Sequence, residues 1–226
     1  ISFNFIKIQT MVTNFSLSNS YINQILFELR NVNIQNDRPR FRNNLEKFGM
    51  IVGYEISKTM HYSAEEVQTS LGSMITETTD DQVVLLSILR AGLPLQNGLL
   101  KLMDYAEAGF ISAYRKDRQD GTYDIRMDYV TCPTLENKIV IFTDPMLATG
   151  ASLDASMRMI KDYGTPKEVH LVTIIASEYA IEQVRRIYPN MKIWAGAIDE
   201  ELTAKSYIVP GLGDAGDLAF GEKLQY

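Results

Sequence analysis

From residue 82 onward, short apolar runs alternate with segments of helical periodicity, and this alternation constrains the fold more than any other feature of the sequence. The apolar runs lie at 83–89, 139–142, 169–176 and 193–198. The helical segments lie at 93–103, 153–163 and 181–187. Strands that alternate with helices form a mainly parallel sheet with both faces covered. We therefore predict a doubly wound α/β fold.

The residues before this region predict a layer of helices. Ser18 or Ser20 can cap a first helix, whose apolar face comprises Ile22, Ile25, Leu26 and Leu29. A second apolar stripe recurs at spacings of three and four and comprises Phe41, Leu45, Phe48, Val52 and Ile56. This stripe predicts a long amphipathic helix from Pro39 to about Met60. We expect the first third of the chain to be helical throughout.

Residues 123–130 have a different pattern, in which apolar and charged residues alternate with period two. This period is typical of a half-exposed antiparallel strand. Residues 110–114 are its expected partner, across a turn at Gln119, Asp120 and Gly121. We predict a two-stranded β-arm over 110–131, and since its apolar side chains need a partner, a homodimer or higher homo-oligomer.

Length and charge exclude several classes of protein. The 226 residues, 46% of them hydrophobic, are enough for one domain spanning 1–226. We interpret residues 1–10 as an extension upstream of a natural start at Met11, or as one added to the protein, since they lack a secretory signal pattern. The net charge of −6 disfavours binding to nucleic acid. No apolar run approaches the roughly 18 residues of a membrane span.

The cysteine and histidine content points to a reducing compartment and away from a metal centre. Cys132 is the only cysteine and cannot form an internal disulfide. Together with His61 and His170 it does not match the ligand spacing of a zinc site. We therefore expect a cytoplasmic protein.

The segment 138–152 carries the strongest local signal for a ligand site. A buried strand ends at Asp144, and a short loop leads into a helix. Backbone N–H groups of 148–152, with the hydroxyls of Thr149 and Ser152, can bind a phosphate there, while Asp144 can face ribose hydroxyls. A plain strand-to-helix turn with local caps fits the same residues, so both interpretations stay open. The segment matches neither the P-loop nor the dinucleotide-binding pattern.

Three motifs together resemble the uracil phosphoribosyltransferase family. They are Ile-Leu-Arg-Ala-Gly-Leu at 88–93, Asp-Pro-Met-Leu-Ala-Thr-Gly at 144–150, and Tyr-Ile-Val-Pro-Gly-Leu-Gly-Asp-Ala-Gly-Asp at 207–217. The resemblance runs from about residue 38 to the C-terminus. It implies that the chain converts uracil and phosphoribosyl pyrophosphate (PRPP) to UMP and diphosphate in pyrimidine salvage.

The resemblance implies a PRPP site built from separate parts of the chain. Arg90 and the backbone of Ala91 and Gly92 would hold the diphosphate, and Arg115 would contact the same donor. Without the resemblance, Arg115 would be interpreted as a solvated surface residue. The rest of the donor would lie against Asp144, Pro145, Met146, Leu147, Ala148, Thr149, Gly150, Ala151 and Ser152. Mg²⁺ would be carried in on PRPP, with no direct protein ligand.

The third motif would form the uracil pocket. The resemblance places Ile208, Gly213, Asp214 and Ala215 around the base, with backbone groups matching its O2, N3–H and O4 edge. Asp214 would also approach PRPP, and the sequence leaves open whether it removes the N1 proton or positions the donor. The catalytic residues implied are Asp214, Arg90 and Asp144. A glycine-rich surface turn is the alternative interpretation of this motif.

Four positions depart from the pattern of the family. Ser87 stands where proline is frequent, Pro94 lies in a helix start, Ala151 replaces a frequent glycine, and Leu218 replaces a frequent basic residue. None of them removes a side chain with an implied chemical role.

Two other functions remain compatible with the fold. One is a nucleotide-sensing, RNA-binding regulator of pyrimidine genes, which the net charge of −6 disfavours. The other is a phosphoribosyltransferase for another base, which the motif at 207–217 disfavours.

Overall fold

The computed structural model describes residues 11–117 and 123–224, with the backbone alone for 113–117 and 123–128. The strands are β1 Val12–Asn14, β2 Ser63–Gln68, β3 Ser73–Thr78, β4 Val83–Leu89, β5 Glu107–Asp117, β6 Tyr123–Thr131, β7 Ile139–Thr143, β8 Met146–Leu147, β9 Glu168–Ser177, β10 Lys192–Asp199, β11 Glu201–Leu202 and β12 Ile208–Val209. The helices are α1 Tyr21–Arg30, α2 Arg38–Ser57, α3 Leu93–Leu102, α4 Ala151–Met159, α5 Glu178–Ile187 and α6 Ala215–Phe220. The predicted extension at 1–10 and the predicted turn at 119–121 lie outside the described residues. None of the helices described is long and apolar enough to cross a membrane.

The central sheet has the order β1-β10-β9-β7-β4-β5-β6, with β8 also paired to β9. Its neighbouring strands are parallel except for β5 and β6, which are antiparallel. Beyond Ser112, β5 pairs with β6 alone, so the two strands continue past the end of β4. These findings confirm the doubly wound α/β fold and the two-stranded arm.

The strand order reverses between β4 and β7. From β4 the chain crosses to β5 on one side, whereas from β7 it proceeds to β9 and β10 on the other. Because such crossovers are right-handed, the reversal places α3 on one face of the sheet and α4 and α5 on the opposite face. The packing agrees, since α3 shares a core with α1 and α2, and α4 shares the other core with α5. A crevice therefore opens at the carboxyl ends of β4 and β7.

The strands beside this crevice are buried on both faces. Along β4, Val83 and Leu85 contribute to one core, and Val84, Leu86 and Ile88 to the other. This burial explains why the strand is a continuous apolar run in the sequence.

The prediction of an all-helical first third is wrong in two places. Val12–Asn14 forms an edge strand beside β10, and β2 and β3 form an antiparallel hairpin that is largely exposed. Neither segment buries a periodic apolar face, so neither produced a signal. The two helices are confirmed, with Ser20 capping α1 through a 3.2 Å bond from Ile22 N–H. The second begins at Arg38, and it ends at Ser57, earlier than predicted.

Helix α3 lies directly on α2 because two glycines face each other. A Cβ added to Gly98 would lie 2.0 Å from the carbonyl oxygen of Glu46, and one added to Gly49 would lie 2.4 Å from that of Leu95. The contact fixes α3, and with it the loop that leads from β4 into the crevice.

We expect Gly98→Ala to lower the free energy of unfolding by about 1–2 kcal/mol. Overpacking costs about 1–3 kcal/mol, and we expect the upper end of this range because the added Cβ would clash with the backbone of Glu46. Alanine gains about 1 kcal/mol over glycine in helix propensity, which offsets part of this cost. Urea denaturation measures this difference. The control is Gly72→Ala, since a Cβ there meets nothing within 4 Å. Equal stability of Gly98→Ala and the parent protein would contradict the close contact.

Candidate active site

Residues from all three sequence motifs meet at the crevice. Arg90 follows β4, Asp144 follows β7, and Asp217 lies on α6. The Arg90 guanidinium contacts the Asp217 carboxylate, which joins the first motif to the third. Arg115 lies on the part of β5 that extends beyond β4, opposite Ile125 in β6.

The loop after β4 is pressed against the end of β7. The Thr143 hydroxyl donates to the Gly92 carbonyl oxygen at 3.0 Å, and a Cβ on Gly92 would lie 2.1 Å from the Thr143 carbonyl oxygen. Glycine is therefore the residue that fits at position 92. The Leu89–Arg90 peptide bond is cis. Ser87 is fully buried beneath the loop, and its hydroxyl has no hydrogen-bond partner in the part of the chain described.

Arg90 is held by polar contacts rather than by packing. Its Nη2 lies 2.9 Å from Asp217 Oδ1, and its Nη1 donates to the Gly221 carbonyl oxygen at 3.3 Å. The side chain is 41% exposed. The guanidinium is thus accessible from the crevice while it is joined to the C-terminal segment.

Asp144 is half-buried at the end of β7 and has an unusual acidity. Burial raises the pKa of its carboxyl to about 7, and a 3.4 Å hydrogen bond from Met146 N–H lowers it only in part. The carboxylate would be stabilised by hydrogen-bond donors that a ligand supplies.

The loop from Pro145 to the start of α4 runs along β9. The Pro145 carbonyl oxygen accepts from the N–H groups of Ile174 and Ile175, each at 3.1 Å. Met146–Leu147, as β8, then pairs with β9, and the buried Ser177 donates its hydroxyl to the Ala148 carbonyl oxygen at 2.6 Å. These contacts fix the shape of the loop.

Gly150 ends this loop and caps α4. Its φ of +80° is left-handed, and it supplies no side-chain hydrogen bond to the helix start. The Thr149 hydroxyl accepts from Ala151 N–H at 3.3 Å. The helix start thus has features of both interpretations: an N-cap without a side chain, which suits an anion, and a local cap from Thr149.

The third motif is anchored by an ion pair that sequence reasoning missed. Arg30 of α1 makes two bonds of 2.7 Å to the buried carboxylate of Asp199, at the end of β10. Asp199 also accepts from Gly211 N–H at 2.9 Å, and Arg30 donates to the Gly211 carbonyl oxygen at 3.1 Å. Ile208 is buried just before this anchor. An acidic residue at the carboxyl end of a buried strand was the one signal that could have drawn attention to Asp199.

Asp214 caps α6 and carries the opposite pKa shift to Asp144. Burial alone would raise the pKa of Asp214, but hydrogen bonds from Lys223 at 2.9 Å and from the N–H groups of Asp217 and Gly216 outweigh it and lower the pKa below its usual range. Asp214 is therefore a hydrogen-bond acceptor in its ionised form. Its neighbours in the motif are Gly213, with a φ of +96°, and the buried Ala215.

A cavity of about 250 Å³ opens beside Asp214. It lies between the third motif and the connection from α1 to α2, and its lining includes Gln35, Asn36 and Arg38, which sequence reasoning missed. Leu218, one of the departures from the family pattern, also lines it. The connection between two helices carries no motif, so nothing in the sequence linked it to the site.

Comparisons with known proteins agree with the three motifs. The family model described as "Uracil phosphoribosyltransferase" matches residues 16–222. A uracil phosphoribosyltransferase of Porphyromonas gingivalis is 46% identical over 214 residues, 94% of this chain and 99% of that protein. One of Pyrococcus furiosus is 39% identical, covering 91% and 88%. Among solved structures, the AQ2163 protein of Aquifex aeolicus has a TM-score of 0.83 at 29% identity, covering 95% of this chain and all of that one.

We expect Asp144→Asn to stabilise the ligand-free protein at pH 8 but not at pH 4. Since the folded-state pKa of about 7 lies above the ordinary 3.8, the stability that Asp144 contributes is complete below pH 4 and is lost as the pH rises through 7. At about 1.4 kcal/mol per pKa unit, the gain from the neutral amide should reach about 1–4 kcal/mol above pH 7. Denaturant unfolding at each pH measures it.

The matched control for this prediction is Asp162→Asn, a change of an exposed carboxyl in the turn after α4. Its stability relative to the parent protein should not follow the profile of Asp144→Asn. A gain for Asp144→Asn that is the same at pH 4 and pH 8 would show that Asp144 ionises normally.

Proposed function

Since the chain belongs to the uracil phosphoribosyltransferase family, we propose that its crevice carries out the reaction of that family. The chain is a phosphoribosyltransferase that converts uracil and PRPP to UMP and diphosphate. The observation that carries the proposal is the meeting of the loops after β4 and β7 with α6, at the point where the strand order reverses. Ligands of open α/β sheets bind at such points.

PRPP binds with its diphosphate at Arg90 and the backbone of Ala91 and Gly92. Arg115, on the arm, contacts the same donor. The ribose 5-phosphate lies at the start of α4, where Gly150 permits a close approach and the helix dipole favours an anion. The contacts of residues 144–148 with β9 fix the approach to this helix start and support this role.

Asp144 holds the ribose. Burial raises the pKa of its carboxyl, the hydrogen bond from Met146 N–H lowers it only in part, and ribose hydroxyls would supply further donors. Binding of the donor should therefore favour the ionised form.

Uracil binds between Ile208 and the backbone of Gly213, Asp214 and Ala215. Backbone donors and acceptors select the O2, N3–H and O4 edge, because a base with a different pattern leaves buried groups unpaired. The anchor of Gly211 by Arg30 and Asp199 supports this precision. The lowered pKa of Asp214 favours a positioning role over that of a strong proton acceptor.

Catalysis is mainly electrostatic. As the bond from C1′ to the diphosphate breaks, negative charge grows on the leaving group, and Arg90 and Arg115 stabilise it. Asp144 and the loop before α4 hold the ribose while uracil N1 approaches.

Magnesium fits this site as a companion of the donor. The described residues contain no group of three or more His, Cys, Asp and Glu that could hold a metal. Mg²⁺ commonly binds substrate phosphates, so it would be held through the diphosphate of PRPP in a crevice that also contains Asp144 and Asp214. When bound, it neutralises part of the charge of the diphosphate.

A panel of bases with PRPP and Mg²⁺ tests the function. We expect UMP from uracil, and turnover of cytosine, hypoxanthine and xanthine lower by at least about a hundredfold, because mismatched hydrogen bonds discriminate strongly. Removal of Mg²⁺ by EDTA should abolish turnover, and its return should restore it. Comparable turnover of a purine would indicate a transferase for another base, and absence of turnover with every base would favour a nucleotide-sensing regulator.

The protein acts as a homodimer or higher homo-oligomer in the cytoplasm. The hairpin of β2 and β3 supports the assembly, since Val67 and Met74 pair across its strands and are 39% and 55% exposed. Such an apolar pair on an isolated two-stranded sheet needs a partner. A single cysteine suits the reducing compartment.

Sedimentation tests the assembly. The parent protein should be oligomeric at micromolar concentration, and Met74→Lys should weaken association by about tenfold or more, because a charge would enter an apolar contact. The control is Ile187→Lys, which places the same charge at an exposed apolar position on α5. A monomeric parent protein would refute the proposed assembly.

A further inference from the structure

Four charged side chains form a network between the first and third motifs. Arg90 pairs with Asp217 at 2.9 Å, and Lys223 lies 2.9 Å from Asp214 and 3.8 Å from Asp217. Asp214 accepts in turn from the backbone N–H of Asp217 at 3.0 Å. We call Arg90, Asp217, Lys223 and Asp214 the crevice network.

The terminal nitrogens of Arg90 each already make one hydrogen bond in the ligand-free protein. Nη2 donates to Asp217 and Nη1 to the Gly221 carbonyl oxygen, which uses two of the five N–H donors of the guanidinium. A Cβ on Gly216 would lie 3.7 Å from Arg90 Nη2, so the guanidinium sits close against the start of α6. A diphosphate that binds Arg90 through the same two terminal nitrogens must therefore compete with Asp217 for them.

This competition favours the diphosphate. Arg90 and Asp217 are 41% and 30% exposed, and an ion pair of such exposure changes an equilibrium by no more than about fivefold. A diphosphate offers several anionic oxygens to one guanidinium and binds it by stronger, bidentate hydrogen bonds. The pair with Asp217 can thus hold Arg90 in place without blocking the donor.

We propose that Asp217 is a positioning residue. It holds Arg90 in the ligand-free protein, and Arg90 changes its partner from the Asp217 carboxylate to the diphosphate when PRPP binds. The inference rests on the proposed function, which assigns the diphosphate to Arg90. When Arg90 leaves, Lys223 is the remaining cation of the network beside Asp217.

The test is a double-mutant cycle read by calorimetric titration with magnesium pyrophosphate. Arg90→Met should weaken binding by about tenfold or more, because a charged hydrogen bond is lost. Asp217→Asn should tighten binding by about two- to fivefold, since Arg90 is then free of its competitor. A merely structural role of Asp217 would weaken binding instead.

The double variant Arg90→Met/Asp217→Asn separates the loss of competition for Arg90 from the loss of general repulsion between Asp217 and an anion. Removing the charge of Asp217 also reduces repulsion of any anion, and this part persists when Arg90 is absent. We therefore expect Asp217→Asn to tighten binding clearly less in the Arg90→Met background than in the parent protein. The control is Glu55→Gln, which removes a carboxylate paired with Lys58 at 2.7 Å at the far end of α2 and should leave binding unchanged.

The outcomes distinguish an error in the proposed donor site from an error in the proposed exchange of partners by Arg90. If Arg90→Met binds pyrophosphate as the parent protein does, the proposed donor site is wrong. If Arg90→Met binds weakly but Asp217→Asn does not bind more tightly, or tightens equally in both backgrounds, the donor site stands and the exchange is wrong. Should Asp217→Asn not fold, Asp217→Ser gives the same comparison with a neutral side chain that also suits the first turn of a helix.

Discussion

The reversal of strand order between β4 and β7 is the constraint on which the rest of the structure depends. Since crossovers are right-handed, the reversal sends the helices that follow these strands to opposite faces of the sheet. The two connections start side by side, where Gly92 contacts Thr143 at the end of β7. The close contact of α2 with α3 fixes the position of α3, which begins directly after Gly92. The placement of the helices on both faces and the position of the crevice both follow from this reversal of strand order.

The sequence predicted those parts of the fold whose burial is periodic. Strands β4 and β7 are buried on both faces, and α2 on one, so their apolar patterns identified them. Strand β1 and the hairpin of β2 and β3 are an edge and an exposed ribbon, and such segments carry no pattern of burial. The three motifs identified the segments that meet at the crevice. The ion pair of Arg30 with Asp199 was not predicted, because it joins residues 169 positions apart and no local sequence pattern indicates such a pairing.

Two aspartates in the same crevice illustrate how environment sets acidity. Asp144 accepts one long hydrogen bond, and burial raises its pKa to about 7. Asp214 caps a helix and contacts Lys223, and its pKa falls. The carboxylate of Asp144 can thus accept further hydrogen bonds from a ligand, whereas that of Asp214 already accepts several from the protein.

The anchor of Gly211 by Arg30 and Asp199 has a consequence for biosynthesis. Arg30 is made early, yet its partners emerge from the ribosome only after some 170 further residues. Domains fold as units while synthesis proceeds from the N-terminus. This end of the crevice can therefore be completed only after Asp199 and Gly211 have left the ribosome, and until then Arg30 of α1 lacks both of these partners.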